Sequence, residues 1–237
     1  MCLLFLLPTS GLALAAGQSS HQITCQGGSF QYLLYEPNSA SPDTLMLPRR
    51  AIMVLHGAGD HADAFIEAWK PLAQKQNVII IAPELPRKPD FEAVAPAIFR
   101  CIIREVGTMT SLDLTRLYLF GHSMGGYLAY DAVMFDSDLF AAVAVHAMGI
   151  DPQYAGIVKQ AKRRLPIRIY IGDRDLQVPL EYVRRTRDLL SREGFPVTLD
   201  EIKGHDHNYY ALADQINADA WKFFSQHRLE PAVNKAN

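Results

Sequence analysis

The sequence predicts an α/β fold: a three-layer α/β/α sandwich on a mostly parallel sheet, with an antiparallel hairpin at its N-terminal edge. Continuous apolar runs recur at Ala51–His56, Val78–Ala82, Leu117–Phe120, Ala141–Val145, Ile167–Ile171 and Val197–Ile202. Strands that are apolar throughout are covered on both faces, as in a parallel sheet flanked by helices. Segments with apolar residues at helical spacing separate these runs, near Ala62–Gln76, Phe91–Val106, Gly126–Phe135, Leu180–Arg192 and Ala211–His227. A chain of 237 residues with near-average apolar content is long enough for one sizeable core, so a single domain is expected over residues 22–229.

The elements follow in order. Met1–Ala16 is an apolar block too short to span a bilayer, and it ends in the small-residue pattern Ala13-Leu14-Ala15. It reads as a signal peptide and predicts a secreted or periplasmic protein, though no Lys or Arg precedes the apolar block. A polar stretch, Gln18–Gln22, follows at once, which argues against a core strand there. No other stretch is long enough to cross a bilayer, so stable membrane insertion is not expected. The runs at Gln22–Gln26 and Phe30–Tyr35 flank Gly27-Gly28-Ser29 and read as a hairpin. Pro37–Pro48 is a Pro/Ser loop. Between Val145 and Ile167 there is room only for one small helix, near Tyr154–Lys162, which predicts a short or absent lid and an open site. The tail, residues 230–237, is polar and should fray.

Charge and cysteines narrow the function classes. The net charge is −2 and no Lys/Arg run exceeds a pair such as Arg49-Arg50 or Arg163-Arg164, so nucleic acid is not an expected partner. Of the three cysteines, Cys2 would leave with the signal. Cys25 and Cys101 then form either a disulfide or two separate buried thiols, alternatives that spacing does not decide. Neither lies in a Cys-X-X-Cys motif, so zinc and thiol redox chemistry have no support.

The chemistry is concentrated around Gly121-His122-Ser123-Met124-Gly125, which sits between an apolar strand and a helical pattern. Gly-X-Ser-X-Gly in that context is a nucleophile elbow: a tight turn that only glycines at both ends allow and that lifts the serine above the sheet. The following N–H, that of Met124, opens a helix and points at the place where a carbonyl oxygen would gain charge. His56-Gly57-Ala58-Gly59 after the first parallel strand can curl so that the N–H of Ala58 meets the same oxygen.

A serine hydroxyl needs a base, and the base needs a carboxylate. Chain order in such a sheet is Ser, then Asp or Glu, then His. After the run ending at Ile171, Asp175 is the expected acid; Asp173, expected to brace its own turn, and Asp151, one strand earlier, are the alternatives. The last loop reads Gly204-His205-Asp206-His207-Asn208-Tyr209-Tyr210. Reach favours His207 as base, since His205 is still close to the strand end; His205 is the alternative. His56, Tyr209, Tyr210 and Met148 are candidates for the substrate pocket, together with Met124 and the loop Glu84–Lys88, although packing explains each equally well and His56 fits a brace for its loop. A metal site assembled from His56, His61, His205, Asp206 and His207 is the rival reading. It lacks a His-Glu-X-X-His pair, and its histidines fall where a triad already needs them. No cofactor or metal is expected.

With these residues in view, the chain resembles the α/β-hydrolase fold serine esterases over nearly all of Gln22–Leu229. The resemblance rests on His56-Gly-Ala-Gly, Gly121-His-Ser-Met-Gly-Gly126, Asp175-Leu-Gln-Val-Pro179 and Asp206-His207-Asn-Tyr-Tyr. Within that superfamily it is most similar to the secreted, lidless esterases grouped with polyhydroxybutyrate depolymerases and feruloyl or acetylxylan esterases. It also resembles the dienelactone hydrolase and phospholipase/carboxylesterase groups. Near the base it departs from the Gly-His-Thr-Trp of the polymer depolymerases and comes closer to the S-formylglutathione hydrolase pattern. The resemblance implies Ser123 as nucleophile, Asp175 as acid, His207 as base and Ala58 with Met124 as oxyanion donors, in an enzyme hydrolysing small-molecule or polymer-attached esters. A serine peptidase or thioesterase on the same fold is the alternative, and a non-catalytic ligand-binding protein the alternative from another class.

Overall fold

The computed structural model describes residues 17–38, 47–86 and 91–230. The chain lays down β1 (Gly17–Cys25), β2 (Gly28–Glu36), β3 (Arg49–Leu55), α1 (Ala62–Gln76), β4 (Ile79–Pro83), α2 (Phe91–Met109), β5 (Leu112–His122), α3 (Met124–Phe135), β6 (Ala142–His146), α4 (Ala155–Gln160), β7 (Ile167–Gly172), α5 (Leu180–Arg192), β8 (Val197–Ile202) and α6 (Ala213–Phe224). The strands form one 8-stranded sheet in the order β1-β2-β4-β3-β5-β6-β7-β8. From β4 onward all neighbours are parallel, while β1 pairs antiparallel with β2, and β2 with β4. The expected signal peptide at residues 1–16 lies outside the described residues, as do most of the Pro/Ser loop and all but Glu230 of the expected tail.

Strand period 2 divides the core into two halves, one on each face of the sheet. Ala51, Met53 and Leu55 of β3 join Phe99 and Ile102 of α2, Leu128 and Val133 of α3 and Val183 of α5 on one side. Ile52 and Val54 join Phe65 and Trp69 of α1 and Ile216, Ala220 and Phe224 of α6 on the other. The result is the three-layer α/β/α sandwich. The segment between β6 and β7 holds only a 3-10 turn, Pro152–Tyr154, and the six-residue α4, so the lid is short.

Several boundaries differ from the sequence expectation. The hairpin turn is Gln26-Gly27 rather than Gly27-Gly28-Ser29: both residues have positive φ, 51° and 73°, the geometry a two-residue hairpin between right-twisted strands requires. The first strand starts at Gly17 because Gln18 to Gln22 pair with Tyr35 to Gln31; a polar stretch on a sheet edge carries no apolar signal. β5 likewise begins at Leu112, whose pairing with Arg49 across a register shift is set by tertiary contact. α6 begins at Ala213 because Tyr209–Leu212 forms a separate 3-10 turn, with Tyr209 fully buried beneath it.

Cys25 and Cys101 are joined in a disulfide that ties the end of β1 to α2 across 76 residues of sequence, which decides between the two alternatives. The bond pins the outer hairpin to the helical layer, where the edge strand has only one neighbouring strand. By chain-entropy reasoning, closing a loop of this length stabilises by about 4 kcal/mol. Reduction is therefore expected to lower the unfolding free energy by that order. Urea unfolding with and without reductant measures it, and unchanged midpoints would show that the hairpin is held by other contacts.

Candidate active site

Ser123 occupies the turn between β5 and α3 at φ 51° and ψ −119°. A non-glycine residue in such a region costs on the order of 1–3 kcal/mol and persists only where the surroundings hold it. Close approach explains how they do. A Cβ on Gly121 would lie 2.3 Å from the Gly125 carbonyl oxygen, and a Cβ on Gly125 only 2.2 Å from that of Leu55. With hydrogens there, α3 drops onto the ends of β3 and β5, and the Ser123 N–H donates to the His146 carbonyl at 2.9 Å.

The last loop carries His207 back over this turn. Its Nε2 accepts from the Ser123 hydroxyl at 3.0 Å, and its Nδ1–H donates to Asp175 Oδ2 at 2.8 Å. The Asp175 side chain is fully buried. Its Oδ1 accepts the N–H groups of Gln177 and Val178, both at 2.9 Å, so the carboxylate is fixed before it meets the histidine. The alternatives stand elsewhere. Asp173 accepts from the Gly204 N–H at 2.6 Å and braces the base loop, and Asp151 accepts from the Gln153 N–H at the start of the 3-10 turn. His205 is buried and points to His146, with Nε2 atoms 3.1 Å apart.

The loop after β3 passes over the elbow: a Cβ on Gly57 would lie 3.5 Å from Ser123 Cβ. Among the described residues, the N–H groups of Ala58 and Met124 make no intramolecular hydrogen bond, and both belong to segments beside Ser123 Oγ. His56 holds this loop. Its Nδ1–H donates to the Gly57 carbonyl at 2.9 Å and its Nε2 accepts the Leu85 N–H at 3.0 Å, which leaves its buried ring no free nitrogen for substrate. His61 instead pairs with Glu84, whose other oxygen caps the Ala62 N–H at the start of α1. Of the five residues of the rival metal reading, His56 and His61 both lie beside Glu84, whereas His205 turns to His146 and His207 to Asp175 and Ser123.

A cleft of about 400 Å³ opens beside His207, lined by His122, Arg174, Leu176, Gln177, Asp206, Asn208, Tyr209 and Tyr210. Tyr210 is half-exposed, and its hydroxyl donates to Asp60, bridging the base loop to the loop after β3. Tyr209 is buried, with its hydroxyl on Asn217 at 2.6 Å. Met148 is half-buried, and its Cβ would lie 2.9 Å from a Cβ on Gly126 of α3. Of the loop at Glu84–Lys88, residues 87 and 88 lie outside the described segments.

Sequence reasoning missed His122 and His146. They are register partners at the C-terminal ends of adjacent parallel strands, with Nδ1 atoms 2.9 Å apart. The available signal was a histidine closing each of two neighbouring apolar runs. Burial, with His207 close by, pushes the His122 imidazole down to about 4. Burial pushes His146 well down and lowers His205 as well.

These shifts have one sign. A histidine held neutral in the fold but titrating near 6.5 when unfolded gives the unfolded chain more bound protons between those values. Stability should therefore fall as pH falls from about 6.5 to about 4, by about 3 kcal/mol from His122 alone. Urea unfolding at several pH values measures the slope, which His122→Asn should flatten; equal slopes would contradict the assignment.

Residues 52–232 match the sequence profile of the alpha/beta hydrolase family. No curated protein sequence matches the chain significantly. Among solved structures, a thermostable esterase superposes with TM-score 0.70 at 23% identity, covering 89% of this chain, which spans 63% of that one. An S-formylglutathione hydrolase from Agrobacterium tumefaciens gives TM-score 0.69 at 18% identity, with 90% of this chain and 95% of that one covered. A fluorophosphonate-binding serine hydrolase of Staphylococcus aureus gives 0.74 at 18%, covering 89% and 99%. At these identities the likeness is one of fold. The family match spans most of the sequence and the Ser–His–Asp relay lies at its elbow, so the chain belongs to the alpha/beta hydrolase family and is a serine hydrolase.

Proposed function

We propose that the protein is a carboxylic-ester hydrolase that works through an acyl-enzyme on Ser123. The observation that carries this reading is the unbroken relay Ser123 Oγ, His207 and Asp175, with contacts of 3.0 and 2.8 Å. His207 Nε2 takes the hydroxyl proton as Oγ attacks the ester carbonyl, and Asp175 stabilises the imidazolium that forms. The oxyanion rests on the N–H groups of Ala58 and Met124, at the positive end of α3. His207 returns the proton to the leaving alcohol; water then enters, is deprotonated in turn, and releases the acid.

The short segment between β6 and β7 leaves the cleft open, which supports esters whose acyl or alcohol part projects into solvent, small or polymer-attached. The motifs at Gly121–Gly126 and Asp206–Tyr210 support placement near the secreted polymer and feruloyl esterases, with an S-formylglutathione hydrolase-like base loop. The Cys25–Cys101 disulfide and the apolar block at residues 1–16 support export to an oxidising compartment.

Ser123→Ala is expected to reduce turnover by about a millionfold and abolish fluorophosphonate labelling, with the fold unchanged by circular dichroism. His207→Ala should approach the same rate, while His205→Ala should lose about tenfold. Activity within about tenfold of wild type in Ser123→Ala, on any ester the protein hydrolyses, would sink the reading. A panel of acetyl, butyryl, octanoyl and feruloyl esters, with matching thioesters and amides, identifies the substrate class; preference for an amide or thioester would replace the ester assignment.

A further inference from the structure

Three buried histidines below the triad have no part in the acyl-transfer steps. His122 closes β5 directly before Ser123, His146 closes β6 beside it, and His205 lies two residues before His207 in the base loop. Their exposures are 8%, 0% and 5%. Nδ1 of His122 meets Nδ1 of His146 at 2.9 Å, and Nε2 of His146 meets Nε2 of His205 at 3.1 Å. The His122 ring also packs 5.0 Å from the His207 ring, centroid to centroid.

We propose that His122, His146 and His205 form a positioning chain that holds His207 at hydrogen-bonding distance from Ser123. The inference rests on the reading of Ser123 and His207 as nucleophile and base. Those two residues come from distant parts of the sheet: β5 carries one and the loop beyond β8 carries the other. The chain links them in a closed circuit. It runs covalently from Ser123 to His122, by hydrogen bonds through His146 to His205, covalently again to His207, and by hydrogen bond back to Ser123. Displacing a reacting group by about 1 Å costs up to about a hundredfold in rate, so a brace at this point acts on turnover.

Imidazole is what the position requires. His146 is fully buried, and both its nitrogens face other imidazoles. A neutral imidazole has one N–H and one lone pair, so His146 donates at one end and accepts at the other, and the chain has a direction. An apolar ring of the same size would fill the space but leave a nitrogen of each neighbour unpaired in a buried setting. The titratable and charged groups facing the chain are few: His207, Asp60 and Asp175, with the Tyr209 ring stacked on it, face His122; Asp206, Asp175 and His207 face His205; the other histidines and the Tyr209 ring face His146.

The test uses p-nitrophenyl acetate turnover and the rate of fluorophosphonate labelling. His146→Phe should lower kcat by about 10–100-fold with KM within about twofold. His146→Gln, whose amide keeps a donor and an acceptor, should recover a large part of that loss. Since the chain acts as a unit, His146→Phe combined with His205→Phe should be no slower than the slower single variant. Nitrogen NMR of the wild-type imidazoles should show one protonated and one bare ring nitrogen on His146 at pH 7, and it carries the test by itself if the Phe variants do not fold. A folded His146→Phe with unchanged kcat, losses that multiply in the double variant, or a His146 ring protonated on both nitrogens would each overturn the proposal. Wild-type protein inert to fluorophosphonate would instead count against the nucleophile reading, so the two failures are distinct.

Discussion

The close approach of α3 to the ends of β3 and β5 is the constraint on which the rest of the site depends. Gly125 lies where any side chain would strike the main-chain carbonyls of Leu55 and His56, and Gly121 where it would strike Gly125 itself. Only with both as glycine does Ser123 take its left-handed turn, and only then does the first free N–H of α3 reach the space above the sheet. The same contact brings the loop after β3 against the elbow, with Gly57 close to His122 and Ser123. One steric fact thus fixes the serine, one helix end and one loop together. The strain at Ser123 is offset by the apolar contacts of α3, whose Leu128, Ala129, Ala132 and Val133 are buried in the core.

The base side of the site is held by a similar contact. A Cβ on Gly172 would come within 2.0 Å of the His205 carbonyl, so the acid loop and the base loop touch through main chain. That carbonyl accepts the Arg174 N–H at 2.9 Å, and Asp173 takes the Gly204 N–H. Asp175 and His207 are therefore carried by two loops that are already joined, and their own 2.8 Å bond adds orientation to a geometry set by backbone. This is why the aspartate two residues earlier is a brace: its side chain is spent on the loop contact that Asp175 relies on.

The parts legible in the sequence are those with a local signal. Apolar runs mark β3, β4, β6 and β7 to within a couple of residues, because strands covered on both faces leave little room for polar positions, whereas the first half of β5 and the polar positions of β8 lie toward solvent. The elbow is legible because its glycines are demanded sterically. Chain order and reach single out Asp175 and His207, which the structure joins to each other and, through His207, to Ser123. What was not legible depends on pairing at a distance. The start of β1 is polar and owes its strand form to β2, the Cys25–Cys101 bond requires knowing that β1 ends against α2, and the meeting of His122 with His146 requires the register of β5 on β6. His56 reads as a pocket candidate because an imidazole in a functional loop gives the same sequence signal whether it faces substrate or, as here, braces the main chain.

The electrostatic setting of His207 follows from the same placements. Of the groups around its ring, Asp175 is a fully buried carboxylate at 2.8 Å, while His122, packed against it, is held neutral by burial. Tyr209, stacked on His122, adds an uncharged aromatic wall. In the proposed mechanism, the positive charge that develops on His207 has one close buried partner, in surroundings of low polarizability where that interaction is stronger than in water. Replacing a neutral imidazole beneath the site by a permanent cation would set a like charge against that imidazolium. A further carboxylate would compete with Asp175 for the proton on Nδ1. Neutral histidines meet both conditions, since they satisfy hydrogen bonds inside the core without adding a charge to the field in which Ser123 loses its proton.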